Sequence, residues 1–121
     1  MKHGRKTKRF GRTDKVRTGF LRSLLNNLII HERIMTTEAR AKTIRPQIEK
    51  LVTIAKNNVN NKQLAIRKIS AELGNQPDNA RKLLSEITPR FENRNGGYTR
   101  ILKVEPRQGD ASPRAVIAFV E

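Results

Sequence analysis

The nine residues Arg33-Ile34-Met35-Thr36-Thr37-Glu38-Ala39-Arg40-Ala41 change character in mid-stretch. Arg33-Ile34-Met35-Thr36 is short and partly β-branched, which predicts a brief strand. Thr36 or Thr37 then offers a hydroxyl that can cap a helix, and Glu38 comes next in the first turn, where the helix dipole favours an anion. Downstream, Ala41, Ile44, Ile48, Leu51, Val52 and Ala55 keep helical spacing, so the stretch hands a strand over to a long amphipathic helix. Pro46 falls inside that helix. Proline removes one hydrogen bond and clashes with the carbonyl four residues earlier, so a kink is expected there, with a split near Arg45 as the alternative.

Upstream, Val16, Phe20, Leu24 and Leu28 recur every four residues, with Leu21, Leu25 and Ile29 beside them. This broad stripe predicts the core face of a first helix, starting at Thr13 or Asp14 and ending at His31-Glu32. Its opposite side carries Lys15, Arg17 and Arg22. Before it, Met1 to Thr13 alternates Lys, Arg, Gly and Thr with no period of 2 or 3.6. Such a segment has no apolar face to offset the entropy of ordering, so alone it is expected to be a disordered arm. It supplies Lys2, His3, Arg5, Lys6, Lys8, Arg9 and Arg12, and the interleaved Gly4 and Gly11 allow close approach to phosphates.

Towards the C-terminus, Asn57-Asn58-Val59-Asn60-Asn61 is a polar turn able to cap another helix. That third helix is expected through Leu64, Ala65, Ile69 and Leu73, with Gly74 placed to end it in a left-handed conformation. A fourth starts near Pro77-Asp78 and carries Ala80, Leu83, Leu84 and Ile87 until Pro89 closes it. Beyond Pro89, Tyr98 to Val104 and Ala115 to Val120 are β-rich runs, and the connection between them is long enough for a loose hairpin.

The whole chain has 121 residues, enough for one domain (14–121) plus the arm (1–13). Its 26 Lys and Arg against 11 Asp and Glu give a formal charge of +15, so a compact globule would repel itself without a polyanionic partner. Nucleic acid fits that role better than an anionic membrane. No stretch approaches the roughly 18 apolar residues of a spanning helix, and the N-terminus lacks the apolar region of a signal peptide. Met1 to Arg12 carries almost nothing apolar except Phe10, so the amphipathic face of an organellar transit peptide cannot form there. A soluble, unexported protein is expected. The absence of cysteine excludes a disulfide framework, a thiolate nucleophile and any Cys-containing zinc finger.

A second basic cluster runs from Pro89 to Arg100, where Arg90, Arg94 and Arg100 and the rings of Phe91 and Tyr98 flank Gly96-Gly97. Arginine forks bind phosphate bidentately, and an exposed ring can stack on an unpaired base. The plainer alternatives are a core role for Phe91, a turn at the glycines and a hairpin side chain for Tyr98. His3 and His31, without Cys or an acidic cluster nearby, make a poor metal site. Glu32, Glu38 and Glu49 are spaced as surface and capping residues, Ser23 has no neighbouring base, and no catalytic site or cofactor site is expected. Ser70-Ala71-Glu72-Leu73-Gly74, between two short helices, has the outline of a helix-turn-helix element, which makes a DNA-binding regulator the rival reading. Its reading helix would offer Asn79, Arg81 and Lys82.

Residues 34–42, Ile-Met-Thr-Thr-Glu-Ala-Arg-Ala-Lys, continued by Glu49, Leu51, Val52, Thr53, Ala55 and Lys56, resemble the characteristic stretch of the L17 family of the bacterial large ribosomal subunit. Arg90 with Gly96-Gly97-Tyr98-Thr99-Arg100-Ile101 resembles that family's second block, and the basic run from Met1 to Arg9 its opening. Pro46 departs from the pattern. The resemblance implies a two-layer α/β (α+β) fold in the order helix, strand, three helices, two strands, with a small mixed three-stranded sheet packed on helices, an arrangement that periodicity alone leaves open. It further implies a non-enzymatic role in the cytoplasmic ribosome. The implied partners are large-subunit ribosomal RNA near the exit of the nascent-chain tunnel and neighbouring ribosomal proteins, with the chain present as a monomer. RNA contact would fall to the arm from Lys2 to Arg12 and to Arg94, Tyr98 and Arg100.

Overall fold

The computed structural model describes residues 14–106, 108–109 and 112–120. The predicted arm lies outside them. The elements keep the expected order: α1 (Asp14–His31), β1 (Arg33–Thr37), α2 (Glu38–Asn57), α3 (Lys62–Glu72), α4 (Pro77–Lys82), β2 (Thr99–Val104) and β3 (Arg114–Phe119).

Thr37 is both the last residue of β1 and the cap of α2: its hydroxyl accepts from the Arg40 amide at 3.3 Å. Strand and helix therefore share a corner, and the Glu38 amide, left over at the helix start, donates to the Pro113 carbonyl at 3.1 Å. All six apolar residues predicted for the inner face of α2 are buried, and the helix lies against all three strands. It runs without a break through Pro46, whose ring sits on the exposed side, so the helix does not split at Arg45.

β3 is central, paired with β1 on one side and β2 on the other. Both pairings are antiparallel, where the resemblance implied a mixed sheet. The register aligns Ile34, Ile117 and Ile101 in one row facing the helices, while Met35, Val116 and Leu102 form a row on the outer face. The helices thus cover one face of the sheet and leave the other open, as the exposure of Met35 and Leu102 confirms.

α1 meets the core through its second half. Leu25, Leu28 and Ile29 are buried and Leu21 and Leu24 pack against them, but Val16, expected in the same stripe, is 56% exposed. An 18-residue helix is about 27 Å long, and its fully buried residues fall in its second half. Phe20 is half-buried, with the Arg40 guanidinium lying 4.6 Å from its ring centroid. α1 ends at Glu32, which adopts a left-handed φ of 64°.

α3 is capped by Asn61, whose side-chain oxygen accepts from the Leu64 amide. It ends as predicted on Gly74, at φ 78°, with the Asn75 amide donating to the Ser70 carbonyl and the Gly74 amide to that of Ala71, the paired bonds of a Schellman motif. The fourth helix differs from expectation in its second half. It is α-helical to Lys82, widens to a π-turn over Leu83–Ile87 and tightens to a 3-10 turn over Thr88–Phe91. Pro89 opens that last turn instead of closing the helix, since its missing N–H costs nothing in a first turn. The widening and tightening let Leu83, Leu84, Ile87 and Phe91 all reach the core.

Candidate nucleic-acid interface

Of the residues expected to meet RNA, Lys2, His3, Arg5, Lys6, Lys8, Arg9 and Arg12 lie outside the described residues. The others divide into two groups on two sides of the domain.

The first group surrounds the turn from Arg90 to Arg100, and much of it is committed to the fold. Phe91 and Tyr98 are 1% and 4% exposed, their ring centroids 5.2 Å apart, and Phe119 packs 6.3 Å from Phe91. The core alternative holds for Phe91, and Tyr98, whose plainer alternative is a hairpin side chain, is buried beside it, so neither offers a face on which a base could stack. Lys56 seals this cluster: its ammonium lies 5.2 Å from the Tyr98 ring centroid, donates to the Tyr98 hydroxyl at 3.3 Å and donates to the Arg94 carbonyl. Arg94 donates from Nη1 to the Gly97 carbonyl at 3.3 Å, across a turn that needs positive φ at Gly96 and Gly97.

Arg90 donates to Glu32 Oε1, and Lys82 stands 3.9 Å from Glu32 Oε2 while donating to the Ile30 carbonyl at 2.7 Å. The Arg90 hydrogen bond, with the charges of Arg90 and Lys82, holds the Glu32 carboxyl below its usual range against a smaller opposing effect of burial. The backbone of Glu32, in the left-handed region that disfavours a residue with a Cβ, is itself held on both sides: its amide donates to the Leu28 carbonyl at 2.7 Å and its carbonyl accepts from the Phe119 amide at 3.2 Å. At the base of the turn, Glu49 Oε2 accepts from the Thr99 hydroxyl at 2.8 Å and from its amide at 3.3 Å. Arg45 reaches both the Thr99 carbonyl at 3.3 Å and Glu49 at 3.5 Å. Glu38, paired with Lys42 at 2.8 Å and Lys103 at 3.6 Å, repeats the pattern nearer the hairpin end. Thus Arg45, Lys42, Lys103 and Arg90 are neutralised within the chain.

Arg100 differs from its neighbours. It lies on the open face of the sheet, and the register puts Arg33 in the same row with Ala118 between them. Both are exposed, and neither has an acidic partner among the described residues. Two strand spacings separate their backbones, about 9.6 Å. Sequence reading missed Arg33. Period-2 alternation in β1 marks it as outward-facing, but its pairing with the Arg100 row requires the register.

The second group lies on the helical side. Lys15 and Arg22 are exposed on α1, and Arg17 is partly buried beside Leu21 and Glu72. Arg22 lies across the end of α3, where its Cδ stands 3.2 Å from the position a Cβ on Gly74 would take. It borders a groove of about 860 Å³ between α1, α3 and α4, which Arg67 and Arg81 also line. Arg67 was not singled out from sequence, although Gln63 and Arg67 fall four apart on the face of α3 opposite Ala65 and Ile69.

Among the described residues no group of three or more His, Cys, Asp or Glu side chains could hold a metal ion, and no helix is long and apolar enough to cross a membrane.

The model of the family described as ribosomal protein L17 matches residues 20–120. Among curated proteins, the large ribosomal subunit protein bL17 of Shouchella clausii is 47% identical over 116 residues, covering 93% of this chain and 97% of that one. The protein of the same name in Hydrogenobaculum is 44% identical and covers both chains completely, and the one in Lactococcus lactis subsp. cremoris is 44% identical over 93% of this chain and 98% of its own. Two surfaces of unneutralised arginine on a small α+β domain are thus carried by a sequence that aligns end to end with bacterial ribosomal proteins, and the chain belongs to the ribosomal protein L17 family.

Proposed function

We propose that this chain is a non-enzymatic structural component of the large ribosomal subunit, holding ribosomal RNA through its basic arm and through arginines on the surface of the domain, near the nascent-chain tunnel exit. The observation that carries the reading is the alignment with curated large-subunit proteins over 93 to 100% of the chain. The charge of +15 supports it, since such an excess is stable in a compact chain beside a polyanion. In this reading residues 1–13 form an arm that orders as it enters RNA, and residues 14–121 dock by phosphate contacts that position without reading sequence. Lys15, Arg22, Arg94 and Arg100 are the described candidates. Neighbouring large-subunit proteins are the other partners, and the chain is present as a single copy in the cytoplasmic ribosome.

The DNA-binding alternative finds little support. The helix that would read bases is α-helical over only six residues, and its three candidate readers are occupied: Asn79 donates to Asn26, Arg81 pairs with Asp78, and Lys82 is held by Glu32 and the Ile30 carbonyl. Sedimentation through sucrose separates the readings. Cosedimentation with large subunits after a moderate-salt wash is expected, and exclusive recovery in the free pool would remove the proposal.

A further inference from the structure

The groove between α1, α3 and α4 combines three properties. It is a shallow, open depression, it is lined by Arg22, Arg67 and Arg81, and no carboxylate lines it. Arg81 shares its charge with Asp78 at 2.8 Å, but Arg22 and Arg67 have no acidic partner among the described residues. Glu72 lines the adjoining depression with Arg17 and Arg22 without pairing with Arg22. By contrast, the comparable depression over α2 and β2 contains Glu38 and Glu49, which neutralise its cations.

The groove is also held in shape. Asn26, one turn beyond Arg22, donates to the Leu73 carbonyl at 3.0 Å and accepts from Asn79 at 2.7 Å, so one side chain ties α1 to the ends of both walls. The left-handed turn at Gly74 supplies the room in which the Arg22 stem lies. Two unneutralised guanidinium groups on a shallow surface of fixed shape suit a chain of phosphodiesters, because each can fork onto phosphate oxygens with little further ordering.

We propose that this groove is a phosphate-backbone seat for an RNA strand, with Arg22 and Arg67 as its principal contacts, separate from the arm and from the turn at Arg90 to Arg100. The proposal rests on the RNA-binding reading above. An acidic protein segment is the competing occupant.

The test uses the full-length chain and transcribed large-subunit ribosomal RNA, with affinity measured against salt concentration. Wild type should give a steep log–log dependence. R22Q/R67Q should lower the slope by about 1.4 to 1.8, the release expected for two phosphate contacts. The charge-matched control K42Q/K103Q removes two cations already paired with Glu38 and should change the slope far less. R67Q alone, at an exposed position with no packing role, guards against misfolding and should lower it by about 0.7 to 0.9. A steep wild-type slope that R22Q/R67Q leaves intact, or that the control lowers equally, overturns the groove and leaves the RNA-binding reading standing. An intact slope accompanied by failure to enter subunits assigns the groove to an acidic protein and likewise overturns it. A shallow wild-type slope removes the reading beneath both.

Discussion

The turn around Arg90 and the groove around Arg22 are both rich in arginine, yet they use it in opposite ways. At the turn, Arg90 is bound to Glu32, Arg45 to Glu49 and Thr99, and Lys56 to Tyr98 and the Arg94 carbonyl, so the charge fastens an irregular loop to the core. In the groove, Arg22 and Arg67 face solvent without an acid among the described residues. A cation's place in the sequence does not reveal whether it is still available. That depends on which carboxylates the fold brings within reach, and Glu32 lies 58 residues from Arg90.

The sharpest way to break this contrast is to remove the residue around which the turn is built. Phe91→Ala should cost about 3 to 5 kcal/mol, because a fully buried ring is lost together with its contacts to Tyr98 and Phe119. Urea unfolding measures this directly, and a cost near zero would mean that the turn does not depend on its ring cluster. Tyr98→Leu separates packing from recognition. We expect a loss of about 1 to 3 kcal/mol in stability from the ring pair and the smaller side chain, with the RNA affinity of the folded protein unchanged. A drop in affinity of about 1 to 3 kcal/mol would instead indicate base stacking.

The smallest effect is expected at Glu32. Glu32→Gln breaks a pair whose members are each more than a third exposed, so solvent screening limits the loss to about 1 kcal/mol or less. Its pH dependence is more diagnostic than its size. The folded state lowers the Glu32 pKa, so the contribution is fully present above the ordinary carboxylate value and is lost as pH falls through the folded one. Wild type and Glu32→Gln should therefore differ at neutral pH and converge in acid. Parallel stability profiles throughout would show that the carboxylate is not linked to folding.

Much of the fold was legible because its signals are local. The α2 stripe, the Thr37 cap and the Gly74 stop each depend on residues a few positions apart, and each appears where the spacing put it. Two departures have long-range causes. Val16 repeats at the interval of a core residue, but it is 56% exposed, and the α1 stripe is buried only from Leu25 onward, where it meets the rest of the core. The helix from Pro77 changes its winding after Lys82 because several side chains must reach one core, a demand that propensity does not record. The candidate interface was legible in bulk charge and less so in detail. Arg94 and Arg100 were singled out from their motif, but Arg33 joins Arg100 through strand register and Arg67 joins Arg22 through helix packing. Sequence alone left Phe91 between bases and the core and Tyr98 between bases and a hairpin side chain, and burial puts both rings in the core.

Differential arginine labelling, read residue by residue by mass spectrometry on the free chain and on purified large subunits containing it, tests the division most directly. Arg22 and Arg67 should react readily in the free chain and become protected in the subunit, while Arg90, held by Glu32, should react slowly in both. Equal reactivity of Arg22 and Arg67 in the two states, or an Arg90 that is fast when free and protected when assembled, would contradict the account.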